Sequence, residues 1–419
     1  MPGRHAGGDK FLFWLAFSWG VCTFFPVGVA YAHMLLVAAC LAGDMRQRLA
    51  RLRQRTLLWP MAAFLLWTLL ALVFGAWFED SPTRLFHIVR VLVLLMMGLL
   101  LTRSEAAMAI RGLLVGAVLA ALIVAVHHVW GLPPWTIWNS LLKSRQNFSS
   151  GNMIMMAIAA GLFFYLGLRN DQAWIDRWVA WAAALALAVT VATHAVSRNA
   201  QMLLPILLAV AMLCHYRAWR ALWLSIGLAA TMGFAAVQLS ATTHNRFFEM
   251  VDEGKRVVAV SDYTTSVGER WRMNQEALRG MLAHPVFGTG LGSWLPRWRV
   301  VALESIETLP PEKRADHIEI NNPHNDFLLA GMETGIPGML AMVWLLGAFL
   351  VAGWRQRSTG GGVTVVLAAS VVVTALVNAP LRDAALGMTL LWLLGASVAG
   401  HEDAAHETGN RRGAPGSGG

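Results

Sequence analysis

Apolar runs of about 17–25 residues, the length that crosses a bilayer as a helix, recur along most of the chain and are separated by short polar connections. The first apolar stretch, Phe11–Ala42, is too long for one upright span, and Pro26 and Gly28 interrupt it. It reads as two short spans joined by a tight turn. Asp44–Arg55 follows, with arginines at 46, 48, 51, 53 and 55, which marks a cytoplasmic connection by the positive-inside rule. Further spans are expected at about 57–78, 86–102, 107–130, 151–168, 179–196, 200–214, 221–238, 326–353, 363–379 and 384–399. The pattern predicts an all-α polytopic membrane protein with about 12 transmembrane helices.

Counting sides from the Arg46 connection places Arg103, Arg169, Arg177, Arg217, Arg220, Arg355 and Arg357 on the same side. Those connections are short and basic, so the parity is self-consistent, and both termini are expected in the cytoplasm. The expected organisation is transmembrane helices over 1–238, one large periplasmic loop over 239–325, further transmembrane helices over 326–399, and a disordered polar tail over 400–419. The large loop balances ten Lys/Arg against eleven Asp/Glu, and loops of that size are exempt from the charge rule. Parity also puts the loops 79–85 and 131–150, the Ser197-Arg198 break, the large loop and Pro380–Asp383 on one outer face. Polar groups far apart in sequence can therefore converge there.

Composition agrees with a membrane protein: 57% of residues are hydrophobic and 14% charged, against about a quarter charged in soluble domains. The net charge of +9 does not argue for nucleic acid, because the basic residues fall mainly between apolar runs. Cys22, Cys40 and Cys214 all lie in apolar segments without disulfide or zinc spacing. Met1–Lys10 is polar, and the apolar run after it is too long for a signal peptide.

Within the large loop, Ser266-Val-Gly-Glu269 has the capping-box form and predicts a helix to about Leu282, stopped by Pro285. Trp271, Leu278 and Leu282 follow helical spacing, as on an amphipathic helix lying against a membrane surface. Arg270 stands in the first turn, where backbone N–H groups favour an anion; Arg272 and Arg279 read as solvated. Gly288, Gly290 and Gly292 permit tight turns and close backbone approach. They are not a dinucleotide fingerprint, since no strand precedes them. Asn321-Asn-Pro-His324-Asn325-Asp326 leads straight into the next span, and a histidine titrating near neutrality can take a proton from a hydroxyl.

His324-Asn325, nine residues, Gly335, two residues and Gly338 resemble the signature of the bacterial O-antigen ligase family, WaaL. So does the order of a Ser-Arg pair at 197–198, an Arg-Trp helix at 270–271 and His284-Pro285-x-x-Gly-x-Gly-x-Gly. The resemblance covers about Ser197 to Gly338. It implies a GT-C-type glycosyltransferase that moves O-polysaccharide from undecaprenyl pyrophosphate to a sugar hydroxyl of lipid A–core. It also implies action at the periplasmic face of the bacterial inner membrane, without nucleotide sugars, metal or other cofactor. By that resemblance His324 is the essential histidine, and Arg198 and Arg270 hold the pyrophosphate.

The chemistry suits such residues. The leaving group departs with heavy negative charge, and the planar fork of arginine binds phosphate oxygens bidentately. Asp316, Glu319 and Asp326 lack a hard-metal loop pattern. Secondary candidates are Asn325 beside the histidine, His194 one turn before Arg198, Arg272, and Arg84, His87 and Arg90 at the outer end of one span. The Arg382-Asp383 pair between two spans is either structural or substrate-holding. His127 and His128 read as interface anchors, and Lys143 and Arg145 as a solvated loop. The expected partners are the lipid-linked polysaccharide, lipid A–core and membrane lipids. A protein O-oligosaccharyltransferase or an O-antigen polymerase remains open as an alternative. A transporter predicts ionisable groups at mid-membrane depth and broken helices in matching halves, and neither is evident.

Overall fold

The computed structural model describes residues 6–412 except 54, 134–146, 170, 172, 195–196, 217–219, 221–222, 228–229, 232–233, 235–237, 239–240, 261, 305–313 and 315–316. The chain is an all-α polytopic membrane protein, with no strand among the described residues. Its helices are α1 (Ala6–Cys22), α2 (Val27–Ala42), α3 (Met45–Leu52), α4 (Leu58–Phe74), α5 (Ser81–Leu99), α6 (Arg103–Trp130), α7 (Asn147–Leu168) and α8 (Trp174–His194). They continue with α9 (Arg198–Tyr216), α10 (Ala241–Val260), α11 (Ser266–Ala283), α12 (Trp294–Leu303), α13 (Asp326–Arg355), α14 (Gly362–Val377) and α15 (Ala384–Arg412).

Among the described residues six helices are long and apolar enough to cross a membrane: α5, α6, Ser150–Leu168, α8, α9 and α13. The pair α2 and α3 passes the same test but bends by 93°. Lys10–Cys22, Leu58–Phe74, Gly362–Val377 and Leu386–Ala399 are shorter apolar helices. The break at Pro26 divides α1 from α2 as the pattern predicts. The span expected at 221–238 lies largely outside the described residues.

Several boundaries shifted for local reasons. Helix α5 begins at Ser81, five residues before the apolar run, with a proline in its first turn where the missing N–H costs nothing. Helix α6 starts behind a capping box in which Thr102 accepts from Glu105 N–H while Glu105 accepts from Thr102 N–H at 2.7 Å. Helix α11 is capped one residue earlier than expected, by Thr265 accepting from Gly268 N–H at 3.1 Å. Glu269 is then free of the cap and contacts His317 instead. Helix α10, within the large connection, was not among the helices expected from the sequence. The polar tail over 401–412 is helical, in contrast to the disorder expected of it. It continues α15 through residues such as Ala, Glu and Arg that propagate a helix already nucleated.

The core is built by helices meeting on small residues, as in membrane bundles. Gly98 of α5 and Gly395 of α15 lie so close to the facing backbone that a Cβ at either would collide with it. Trp19 of α1 stacks on Trp392 of α15 at 4.2 Å between ring centroids, both fully buried. At one end of the bundle Arg48 forms a buried ion pair with Glu105 at 2.9 Å and donates to the Leu100 carbonyl. Near the same end Tyr165 donates to the Arg357 carbonyl, and Thr56–Pro60 share a groove with Trp344–Arg355. The basic connections therefore gather there. The large connection between α9 and α13 lies at the other end.

Candidate active site

The glycine motif fastens the large connection to the bundle. Gly288, Gly290 and Gly292 all have φ between +73° and +100°, a region where a Cβ is disfavoured. A Cβ would also strike backbone: at Gly288 that of Met332–Thr334, at Gly290 Ala76, at Gly292 Asp80–Ser81. Thr289 N–H donates to the Met332 carbonyl at 2.7 Å, Ser81 Oγ to the Leu291 carbonyl at 2.6 Å, and Ile336 N–H to the Pro285 carbonyl at 2.8 Å. The last bond crosses a kink in α13 at Gly335, where φ is +78°. Trp67 of α4 stacks on Phe287 at 5.6 Å and donates its indole N–H to the Thr334 carbonyl freed by the kink.

Glu333 ties these parts together. It receives bonds of 2.7–2.9 Å from Nε and Nη2 of Arg84 and a further one from Gly292 N–H at 3.2 Å. Arg84 and Glu333 are both buried. Arg84 is thus engaged in a buried ion pair. Arg90 donates to the Leu381 and Arg382 carbonyls, holding the turn between α14 and α15. Asp326 accepts from Leu381 N–H at 3.0 Å and secures the same turn.

His324 sits where α13 meets this turn. It is the single non-glycine residue with positive φ among the described residues, at +54°. That conformation costs roughly 1 kcal/mol or more, as is common where geometry is imposed at a functional site. Asn322 stabilises it by accepting from His324 N–H at 3.0 Å, an Asx turn across Pro323. Asn325 is the N-cap of α13, accepting from Leu328 N–H at 3.0 Å, so its role is to start the helix. His324 Nδ1 lies 3.1 Å from Oδ1 of Asn378, the residue that ends α14. A carbonyl oxygen can only accept, so Nδ1 carries the proton and Nε2 keeps its lone pair. Burial and then the charge of Arg270 lower the His324 pKa, opposed by the Asn378 bond and by Glu269. A neutral imidazole with a free Nε2 can accept a proton.

The two arginines expected in the site neighbour each other and the histidine. Arg198 opens α9 and reaches Glu253 of α10 at 3.3 Å and Glu249 at 3.8 Å. Glu253 also accepts from Val267 N–H at 3.1 Å, at the start of α11, which aligns Arg270 one turn further on. Burial and then the charge of Arg198 lower the pKa of Arg270. Arg270 makes no hydrogen bond or ion pair to a described residue. A half-buried guanidinium beside another cation, with no ion pair among the described residues, has donors left to offer an anion.

The remaining candidates separate cleanly. Arg272 pairs with Glu304 at 2.8 Å and lies over Tyr263, its side chain mostly buried. Trp271, Leu278 and Leu282 of α11 are exposed, while Met273, Ala277 and Gly280 pack inward. His194 contacts Thr193 and lies edge-on to His128 at 5.3 Å between rings. Arg382 donates to the Asn321 carbonyl, and Asp383 caps α15 by accepting from Leu386 N–H. Burial drives the pKa of Arg382 down to about 10. Lys143 and Arg145 lie outside the described residues. Among the described residues no three of His, Cys, Asp and Glu come together as metal ligands.

A chamber of about 430 Å³ opens beside His324, with His87, Asn378 and Arg382 also in its walls. His87 and Arg382 separate it from a smaller cavity of about 50 Å³ that reaches Arg84, Asp326 and Glu333. Sequence reasoning missed Asn378 and Glu253, for neither belongs to a motif and both act on residues distant in sequence.

No curated protein matches the chain. A family model described as O-antigen ligase matches residues 183–343, a segment that holds Arg198, Arg270, His324 and the Gly335 kink but not Asn378 or Arg382. Over that segment, less than half of its length, the chain is similar to the O-antigen ligase family.

Proposed function

We propose that the protein is an O-antigen ligase: it transfers a glycan from undecaprenyl pyrophosphate to a sugar hydroxyl of lipid A–core at the periplasmic face of the inner membrane. The observation that carries this reading is Arg270, half-buried and without an ion pair among the described residues, adjoining both Arg198 and the Asn378-oriented His324. In the proposed reaction the acceptor hydroxyl gives its proton to His324 Nε2 as its oxygen bonds to the anomeric carbon. The bond from that carbon to the pyrophosphate oxygen breaks, and undecaprenyl pyrophosphate leaves with the bonding electrons. A single displacement of this kind inverts the anomeric centre. Arg270 and Arg198 stabilise the charge that develops on the leaving group, at roughly 3 kcal/mol per well-placed donor. The pyrophosphate competes with Glu253 for Arg198.

Deleting the gene and examining lipopolysaccharide on gels tests the assignment. A smooth-to-rough change with accumulating lipid-linked polymer supports a ligase. Loss of long lipid-linked polymer points to a polymerase. Unchanged lipopolysaccharide with unglycosylated periplasmic protein points to a protein-directed transferase. In purified form, His324→Ala is expected to reduce transfer by about 10²–10⁴-fold, the usual range for a proton-transfer group. Full transfer by that variant would falsify the role given to the histidine.

A further inference from the structure

At the end of the bundle away from His324, a groove of about 550 Å³ follows α13 from Trp344 to Arg355, with Trp59 and Pro60 of α4 in its other wall. The small residues Gly347, Ala348 and Ala352 leave room for it, and no carboxylate lines it. Trp59 and Trp344 stand beside it 73% and 53% exposed. An apolar concavity on a membrane-spanning helix, open beside two uncovered tryptophans, is a place for hydrocarbon.

Length and charge narrow the occupant. From Trp344 to Arg355 the helix rises about 16 Å, at about 1.5 Å per residue, close to half of a hydrocarbon core about 30 Å thick. The groove is therefore about one leaflet deep, and Arg355, in the last turn of α13, stands at the level of the headgroups. Arg355 is exposed, and its side chain makes no ion pair or hydrogen bond to a described residue. Arg357 nearby is held differently: it donates to the Trp354 carbonyl at 2.8 Å, and its guanidinium lies over the Trp354 ring at 4.4 Å. Arg355 is thus the cation the groove offers. A headgroup of net negative charge is attracted to it, whereas in a zwitterionic headgroup the ammonium offsets the attraction of the phosphate. By the positive-inside rule this basic end faces the cytoplasmic leaflet, whose surface is negative, and basic pockets between helices on that side suit anionic headgroups.

We infer that the groove between α4 and α13 is a binding site for one anionic phospholipid, its phosphate on Arg355 and one acyl chain laid along Gly347 and Ala348 towards Trp344. The site is independent of the proposed transfer reaction.

Full-length protein, delipidated in detergent, is titrated with phosphatidylglycerol and with phosphatidylcholine of matched chains, and the first bound lipid is followed by native mass spectrometry. Wild type is expected to prefer phosphatidylglycerol by at least about fivefold, the contribution of one arginine beside an anionic headgroup. Arg355→Gln is expected to remove the preference by weakening phosphatidylglycerol alone. Being exposed at a helix end, it decides the headgroup without disturbing the fold. Gly347→Leu tests the chain. A Cβ there meets nothing within 4 Å, so the side chain enters the groove and not backbone, and leucine favours a helix more than glycine does. It is expected to weaken both lipids at an unchanged melting temperature. Arg103→Gln removes the same charge from another exposed arginine, in the first turn of α6, and is expected to bind as wild type. The inference is overturned if wild type does not distinguish the two lipids, or if Arg103→Gln lowers the preference as much as Arg355→Gln, which is the mark of diffuse attraction to the surface. It is equally overturned if folded Gly347→Leu binds phosphatidylglycerol as wild type does, or if undecaprenyl phosphate displaces phosphatidylglycerol, which assigns the groove to a polyprenyl chain.

Discussion

Arg84 and Arg270 both lie at the end of the bundle that bears the large connection, yet they are held in opposite ways. Arg84 is buried, bidentate on Glu333, and joined through that carboxylate to the glycine loop. Arg270 is half-buried, next to a second arginine, and has no ion pair among the described residues. A guanidinium with a dedicated carboxylate has little left to offer a ligand. One left without a counter-ion in a low-dielectric setting is ready to receive an anion. The difference teaches that the state of saturation of an arginine, rather than its side of the membrane, separates scaffold from site.

The strongest way to break this comparison is to unpair the scaffold. Arg84→Met leaves Glu333 buried without its cation and is expected to destabilise the protein by about 3–5 kcal/mol, seen as loss of folded protein in detergent. Replacing both Arg84 and Glu333 by apolar residues is expected to recover much of that loss. On the other side, Arg270→Ala is expected to leave thermal stability near wild type while lowering kcat/KM for the lipid-linked donor by about 10²–10³-fold. If Arg270→Ala unfolded the protein and Arg84→Met did not, the two assignments would have to be exchanged.

Smaller effects sharpen it. Asn378→Ala frees the His324 ring and is expected to lower kcat by about 10²-fold, the scale of a misplaced catalytic group, with donor binding unchanged. The pH profile provides a finer readout. His324 must be neutral to act, so activity is present above its pKa and lost as pH falls through it. Arg270 contributes to holding that pKa below the ordinary histidine value. Arg270→Gln should therefore move the acid limb of kcat to higher pH, whereas Arg270→Lys keeps the charge and should leave it in place. An acid limb unmoved by Arg270→Gln would show that the two groups do not interact. Least affected should be Arg279→Ala, whose side chain is exposed on α11, within about 0.5 kcal/mol in stability and close to wild type in transfer.

The same contrast explains how much was legible beforehand. The apolar periodicity sufficed for the helical class and for most spans, because lipid admits few ways to satisfy a backbone. Where the first turn of a helix is polar, as at Ser81–Arg84, the periodicity starts late and the boundary moves. His324, Arg198 and Arg270 were recognisable because they stand in short motifs of fixed spacing. Arg84, Arg90 and Asn325 were secondary candidates in sequence, and in the structure they form an ion pair, a clasp on two carbonyls and a helix cap.

By itself the sequence determined the all-α membrane class, and it singled out basic connections on one side and three candidate residues, His324, Arg198 and Arg270. These follow from local composition, spacing and the demands of lipid. Only the tertiary structure decided which arginine is saturated, that Asn378 orients His324, that Glu253 stands against Arg198, and that three glycines serve to bolt the large connection onto the kink at Gly335. Each of those depends on a contact between segments tens to hundreds of residues apart. A hydrogen bond or a counter-ion leaves no periodicity in the chain until folding brings its two ends together.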